Sequence, residues 1–129
     1  MKRTLVVGMA LVALGLSVAA VRVNAVEKEE DVKVLRHIVM FKYADEASAK
    51  AISEAFVALK QEIDLIKDFE WGTNVSKEGL DKGLTHAYTL TFHSQEDLDA
   101  YIVHEAHKAF VAKLDGKVTD VCVFDYWAQ

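Results

Sequence analysis

The 129-residue sequence predicts an α+β domain with the ferredoxin-like order β-α-β-β-α-β, paired into a dimeric α/β barrel. Two observations predict the order: four segments have the residue pattern of strands, and two segments repeat apolar residues every three or four positions, as helices do. A third observation predicts a homodimer. Helices on one face of a four-stranded sheet leave the other face bare, and we expect large apolar residues and histidines there. A second copy would cover that face and enclose a cavity.

The first 25 residues are predicted to be a signal peptide. Two basic residues at positions 2 and 3 precede an almost unbroken apolar run over residues 5–21, and residues 23–25 offer a cleavage site. An uncleaved anchor is the alternative, because about 17 apolar residues are near the lower limit for crossing a bilayer. We expect an exported protein, periplasmic or secreted, with no other membrane contact. The predicted segments are the signal peptide at 1–25, a charged linker at 26–33 and the domain at 34–129.

Charge and composition exclude several functions. Loss of residues 1–25 would lower the 15 basic residues to 12 against 20 acidic residues, a net charge of −8. Such a surface repels phosphate backbones, so we expect no nucleic-acid partner. Cys122 is the single cysteine and lies in an apolar run, which predicts a buried structural thiol. The chain has no glycine-rich phosphate loop and no Cys-x-x-Cys pair, and we expect no cofactor.

The first half of the domain predicts a strand, a long helix and a second strand. Residues 34–43 are rich in β-branched and aromatic residues, residues 45–66 repeat apolar positions with a helical period, and residues 69–75 alternate again. The two faces of the first strand carry Leu35, His37, Val39, Phe41 and Tyr43 on one side and Val34, Arg36, Ile38, Met40 and Lys42 on the other.

The second half predicts a strand, a helical region and a last strand. Residues 84–92 form the third strand. Ser94, followed three positions later by an acidic residue, is a variant capping box, so a helix should begin at Gln95. Helical character continues until Gly116, and residues 118–127 form the fourth strand.

The candidate chemistry lies in residues 101–107, Tyr-Ile-Val-His-Glu-Ala-His. Imidazole changes its charge near neutral pH, so this group is a proton-handling site, a metal site or a coincidence. Tyr101 and His107 are six positions apart, about 240° round a regular helix, so they can reach one substrate only if the helix breaks near residues 104–106. In the structural alternative, Tyr101 packs on the sheet and His104 is solvated.

Two further histidines lie within strands. His37 and His86 fall among apolar neighbours in strands that this fold places side by side. Each alone is typical of a hydrogen-bonded core residue, whereas the two together suggest a pocket. Four histidines from three elements could also bind zinc, but their spacing matches no compact metal motif, and we expect no metal. His93, beside the helix cap, is predicted to lie on the surface.

The domain contains an ordered series of short motifs. They are His37-Ile-Val-Met-Phe-Lys-Tyr43, Gly83-Leu-Thr-His86, Leu90-Thr-Phe92, Tyr101-Ile-Val-His-Glu-Ala-His107 and Phe124-Asp-Tyr126. This series, which covers about residues 34–127, resembles the stress-responsive α/β-barrel (Dabb) family. The resemblance implies a dimeric ferredoxin-like barrel, and many members of the family have no established activity.

The resemblance also implies roles for individual residues. In a cyclase of the family, which closes a linear polyketide thioester into an aromatic ring, the catalytic pair falls by motif on Tyr101 and His107. His107 is then the base that removes a proton next to a carbonyl, and Tyr101 donates to the carbonyl oxygen. The expected substrate-binding residues are His37, His86 and His104.

Two functions are therefore expected, and they differ in whether chemistry occurs. The first is an exported homodimeric barrel that binds a small apolar molecule. The alternative is a cofactor-free cyclase or lyase in which Tyr101 and His107 transfer protons on a carbonyl substrate. A heme-free monooxygenase on the same barrel rests on fold analogy alone. The family commonly has proline where this chain has Glu105, so proline does not enforce the helix break here.

Overall fold

Within the residues that the structure describes, four strands and three helices follow one another in the order βαββααβ. The computed structural model describes residues 13–21 and 31–129. Residues 13–21 contain no helix or strand, and most of the predicted signal peptide and linker lies outside the described residues. Within the described residues, no helix is both long enough and apolar enough to cross a membrane. The elements are β1 (Leu35–Tyr43), α1 (Glu46–Glu62), β2 (Asp68–Thr73), β3 (His86–Phe92), α2 (Gln95–Ile102), α3 (Glu105–Ala112) and β4 (Val118–Trp127).

The four strands form one sheet in the order β2-β3-β1-β4, with every neighbouring pair antiparallel. This is the ferredoxin-like arrangement that the sequence predicts. β1 lies between β3 and β4, so His37 stands opposite Leu90 on one side and Asp125 on the other. Because side chains alternate along a strand, residues that face each other across this register share one face of the sheet.

All three helices pack on the same face of the sheet. The apolar stripe of α1, which includes Phe56, is buried against Phe41 and Tyr88. Phe110 of α3 stacks on Phe56 with 4.6 Å between ring centroids, which ties α3 to α1. The other members of the core are Leu35, Val39, Ile52, Leu59, Ile63, Ile66, Leu90, Phe92, Leu98 and Tyr101.

All three helices begin at side-chain caps, and those of α1 and α2 are carboxylate or hydroxyl groups. The Asp45 carboxylate accepts a hydrogen bond from the Ser48 amide at 2.7 Å, and the Ser94 hydroxyl accepts one from the Asp97 amide at 3.0 Å. The start of α2 at Gln95 confirms the start expected from the capping box. The helical region after Gln95 is not continuous: it is divided into α2 and α3, so it contains the break that the enzyme interpretation requires.

One expectation about the faces of the sheet was wrong. The bare face was expected to carry histidines, but His37 and His86 lie on the face that the helices cover, together with the core residues of β1 and β3. Alternation shows which residues share a face, but both faces of β1 are apolar, so it does not show which one the helices cover. The opposite face, here called the open face, carries Arg36, Ile38, Met40, Ala87, Thr89, Cys122, Phe124 and Tyr126.

β4 is an edge strand with apolar residues exposed on both faces. The helices pack mainly on β1, β2 and β3. On the helix side of β4, Val121 and Val123 are therefore about half exposed, and on the open face Phe124 is 61% exposed and Tyr126 is 44% exposed.

Candidate active site

Tyr101, His107 and His37 line one cavity of about 220 Å³. The cavity lies between the helix-covered face of the sheet and α3. Most of its wall is apolar and includes Phe56 and Val123, so the three polar side chains are placed in a largely apolar surrounding. Ligand sites commonly combine an apolar wall with a few polar groups of this kind.

The break between α2 and α3 brings Tyr101 and His107 into contact. Their ring centroids are 4.5 Å apart. On an uninterrupted helix the two side chains would diverge, because six residues correspond to about 240° of rotation. Tyr101 is almost fully buried, and burial raises the pKa of its phenol well above the ordinary value. The phenol therefore keeps its proton near neutral pH and can donate a hydrogen bond.

His107 has a defined tautomer. Its Nδ1 lies 2.9 Å from the carbonyl oxygen of Ile102, the last residue of α2. A carbonyl only accepts, so we infer that Nδ1 carries the proton and that Nε2 has the free lone pair when the ring is neutral. Burial lowers the pKa of His107; the hydrogen bond to the Ile102 carbonyl raises the pKa by less, and the nearby His37 and His104 lower it. A neutral imidazole with a free nitrogen is the form that a general base needs.

His37 is held by a carboxylate that the sequence reasoning did not single out. Its Nδ1 lies 2.6 Å from Oδ1 of Asp125, across the β1–β4 pair. The carboxylate fixes the ring and leaves Nε2 available to a ligand. The His37 ring also meets the Tyr101 ring edge-on, with 5.7 Å between centroids. Asp125 lies in the Phe124-Asp-Tyr126 motif, and the register of β4 against β1 is the signal that could have identified it.

His104 lies at the break rather than among the residues that line the cavity. It is the N-cap residue of α3, and its Nδ1 accepts a hydrogen bond from the Ala106 amide at 3.1 Å. The structure therefore places this predicted substrate-binding residue beside the site, in a structural contact.

His86 lies at the other end of the sheet. It pairs with Phe41 across the β1–β3 register, four positions from His37 along β1, which corresponds to about 13 Å along a strand. Its ring stacks on Trp71 and meets Tyr43 at 4.9 Å in a second, wider cleft of about 880 Å³. Burial lowers the pKa of His86. The structure thus separates His86 from Tyr101, His107 and His37.

A chain of hydroxyl groups runs from the wall of this second cleft into the core. The Tyr88 hydroxyl is 2.6 Å from the Tyr43 hydroxyl and 2.7 Å from that of Ser53. Burial and the contact with Tyr88 raise the pKa of Tyr43 far above its ordinary range. These hydroxyls are engaged with one another, so we assign them a structural role.

The histidines do not assemble into a metal site. Across residues 13–21 and 31–129, no three His, Cys, Asp or Glu side chains are grouped so that they could hold a metal ion. Cys122 is a half-buried free thiol on the open face. The geometry of the first cavity supports proton transfer instead, with a neutral imidazole beside a protonated phenol.

This chain is similar to a known protein family and to individual named proteins. The family model described as the stress responsive A/B barrel domain matches residues 35–128. The stress-response A/B barrel domain-containing protein HS1 of Arabidopsis thaliana is 35% identical over 101 residues, which are 76% of this chain and 93% of the relative. Olivetolic acid cyclase of Cannabis sativa is 30% identical over 95 residues, which are 71% of this chain and 94% of the enzyme.

Solved structures share the same fold. The hydroxynitrile lyase of Passiflora edulis superposes with a TM-score of 0.70 at 24% identity, covering 76% of this chain and 95% of the lyase. A protein of Jannaschia sp. CCS1, described as a dimeric ferredoxin-like protein of unknown function, superposes with a TM-score of 0.63 at 26% identity, covering 72% of this chain and 97% of that protein. At 24% identity, the likeness to the lyase shows the fold alone.

Proposed function

Because the chain belongs to the stress-responsive A/B barrel domain family, we propose that it is a cofactor-free enzyme that transfers protons on a small carbonyl compound. The compound binds in the cavity between the sheet and α3. His107 is the base and Tyr101 is the hydrogen-bond donor. The observation that carries this proposal is the contact of the two rings at 4.5 Å across a helix break, inside one largely apolar cavity.

The proposed reaction begins with removal of a proton from the carbon next to the carbonyl. Nε2 of His107 takes that proton, and the electron pair of the C–H bond moves through the new C–C double bond onto the carbonyl oxygen. The phenol of Tyr101 stabilises this oxyanion by donating a hydrogen bond. The resulting enolate attacks a second carbonyl carbon, which closes a ring, or expels a leaving group, which breaks a bond. The protonated His107 then gives its proton to the alkoxide formed by ring closure or to the departing leaving group, which restores the neutral base.

The electrostatics of the cavity support these roles. The lowered pKa of His107 keeps the base neutral, and the raised pKa of Tyr101 keeps the donor protonated, so both are in their working forms at neutral pH. The bond from Nδ1 of His107 to the Ile102 carbonyl leaves Nε2 as the accepting nitrogen. His37, oriented by Asp125, adds a third polar group that can position the substrate.

Among the relatives, the one named as a cyclase supports ring closure as the outcome. Olivetolic acid cyclase is 30% identical over nearly its whole length. The reaction class is therefore an enolate-forming cyclisation or, by the same first step, a lyase reaction. The present chain has both members of the proposed pair and the helix break that joins them.

Exchange of protons next to a carbonyl tests the proposal without knowledge of the natural substrate. The probe is 2-heptanone in D₂O, with loss of its α-proton signals followed by NMR. We expect the wild-type protein to accelerate exchange, His107→Ala to lose about 100-fold or more of that rate, and Tyr101→Phe to lose about tenfold or more. His93→Ala is the matched control, because His93 is an exposed histidine outside the cavity.

The result that would overturn this proposal is equally direct. Two outcomes are incompatible with His107 as the base. One is wild-type protein that binds the ketone but leaves its exchange rate at the buffer value. The other is a His107→Ala protein that is as active as His93→Ala. Ligand-observed NMR in H₂O reports binding separately from exchange.

Binding without chemistry is the second candidate function. The apolar wall and the volume of about 220 Å³ favour a small apolar ligand, because sites for drug-sized ligands usually start at about 300 Å³. Native mass spectrometry of the purified protein would show a retained small molecule. Retention that is equal in the wild type and in His107→Ala, together with no exchange activity, is the outcome expected of a binding protein.

We further propose a homodimer and export. The open face and β4 expose Phe124 and Tyr126, and a second copy is the partner that best explains an apolar edge in a family with dimeric structural neighbours.

The proposal of export rests on residues 1–25, which have the composition of a signal peptide. Mass spectrometry of the N-terminus after expression in a secreting host tests it, and an intact residue 1 in the secreted fraction contradicts cleavage.

A further inference from the structure

Two histidine side chains form hydrogen bonds with backbone groups at the break between α2 and α3. His104 precedes α3, and its Nδ1 accepts a hydrogen bond from the Ala106 amide at 3.1 Å. His107 lies within α3, and its Nδ1 donates to the carbonyl of Ile102 at the end of α2 at 2.9 Å. One imidazole therefore satisfies an otherwise open amide of α3, and the other satisfies an open carbonyl of α2.

We propose that His104 is a positioning residue for the base: its cap on α3 maintains the chain break that turns His107 toward Tyr101. This inference rests on the proposed function for its catalytic consequence, but its structural content can be tested without a substrate. It gives His104 a role through His107, in place of the direct substrate contact expected from the sequence.

The break needs such support because a continuous helix is a competing state. Residues 95–112 contain neither glycine nor proline, so no residue in this segment forces the helix to end. α2 and α3 have eight residues each, a length at which isolated helices are marginal, and fusing them would add backbone hydrogen bonds. In a fused helix, Tyr101 and His107 would point in different directions.

The backbone at His104 shows how the cap opposes fusion. His104 has φ −65° and ψ 138°, an extended conformation outside the helical region, and this is the conformation that an N-cap residue adopts. Glu105 is the first helical residue, the position at which proline is well tolerated because its amide has no intrahelical partner. Packing also favours the break. Tyr101 and Phe110 are nine positions apart, so on one continuous helix they would lie on opposite sides, yet both are buried.

The test compares three variants at the break. His104→Ala removes the cap, His104→Asn keeps a good capping side chain, and the double variant His104→Ala/Glu105→Pro replaces the cap with proline at the first helical position. Glu105→Pro alone is the matched control. The first readout uses no substrate: NMR of His107 reports its Nδ1–H tautomer, and a nuclear Overhauser effect between the rings of Tyr101 and His107 reports their contact.

We expect the ring contact and the exchange activity to be weakened in one variant and restored in the other two. His104→Ala should weaken the ring-to-ring signal and lower kcat for exchange of 2-heptanone about five- to tenfold with little change in KM. His104→Asn and His104→Ala/Glu105→Pro should restore both readouts. If His104→Ala does not fold, the double variant still decides: restored contact supports the inference, and a folded double variant without the contact overturns it.

Two other results would overturn the inference. One is a His104→Ala protein in which the His107 tautomer and the ring contact match the wild type. The other is a His104→Asn protein with the contact intact but a raised KM, which would show that His104 touches the substrate. If wild-type protein shows no exchange activity at all, the proposed function fails, and the NMR measurements still decide the role of His104.

Discussion

At the scale of single residues, burial moves two pKa values in opposite directions. The pKa of His107 falls below its ordinary value of 6.5, so the neutral base persists to lower pH. The pKa of Tyr101 rises above its ordinary value of 10.0, so the phenol keeps its proton to higher pH. Both shifts have the same main cause, because removal from water disfavours the charged form of each group.

These shifts predict a wide pH plateau for activity. We expect kcat/KM for exchange of 2-heptanone to stay level between pH 6.5 and pH 10.0, the ordinary pKa values of the two groups, and to decline only below pH 6.5. The measurement is the NMR exchange assay across buffered D₂O solutions. His86→Gln is the matched control, since His86 also has a lowered pKa but lies in the other cleft, and this variant should keep the wild-type profile. A decline that begins above pH 6.5 would contradict the assignment.

Asp125 illustrates what the sequence could not show at this scale. His37 was a candidate from its place within an apolar strand, but its partner is 88 residues away. The two side chains meet only because β4 pairs with β1 in the register that puts position 125 opposite position 37. A shift of one residue would turn Asp125 to the open face, so the contact depends on the register and not on either local sequence.

At the scale of elements, local signals predicted most of the fold. Strand-like residue composition predicted β1 and β4 to within one residue, and the capping box predicted the start of α2 at Gln95. The helix break was a condition of the enzyme interpretation, but the sequence did not compel it. The reason is that the break depends on side-chain contacts to backbone groups, made by His104 and His107, which helical periodicity does not contain.

The cap of α2 gives a prediction for stability. Ser94→Ala removes the acceptor for the Asp97 amide, so the free energy of unfolding should fall by about 1 kcal/mol. Ser94→Asp keeps a capping oxygen, so its free energy of unfolding should stay close to that of the wild type. Urea denaturation measures the difference. Ser76→Ala is the matched control, because Ser76 accepts a longer bond of 3.3 Å in an exposed loop. Equal losses in Ser94→Ala and Ser76→Ala would contradict a special role of the helix cap.

At the scale of the whole molecule, β4 connects the cavity with the open face. Val121 and Val123 line the cavity from the helix side of β4, while Phe124 and Tyr126 project from the other side of the same strand. All four are exposed in the single chain. A second copy that covers β4 would therefore shield apolar surface and also limit the access of water to the cavity.

The exposed apolar surface of β4 predicts a dimer that a single charge can separate. Phe124 is 61% exposed on the open face, so Phe124→Glu should place a carboxylate in the contact and yield a monomer in sedimentation velocity, where the wild type should have twice the mass of one chain. Because association stabilises the folded state by mass action, Tm should rise with protein concentration for the wild type and stay constant for Phe124→Glu.

Val57→Glu is the matched control for the dimer. Val57 is 42% exposed but lies on α1, away from the open face, so this variant should remain dimeric. The two charges are the same, and only their position differs, so the comparison isolates the face that is covered. Wild-type protein that sediments as a monomer at micromolar concentration would contradict the proposed dimer. Dissociation by Val57→Glu with Phe124→Glu still dimeric would instead place the contact on the helices, which would leave the apolar surface of β4 in water.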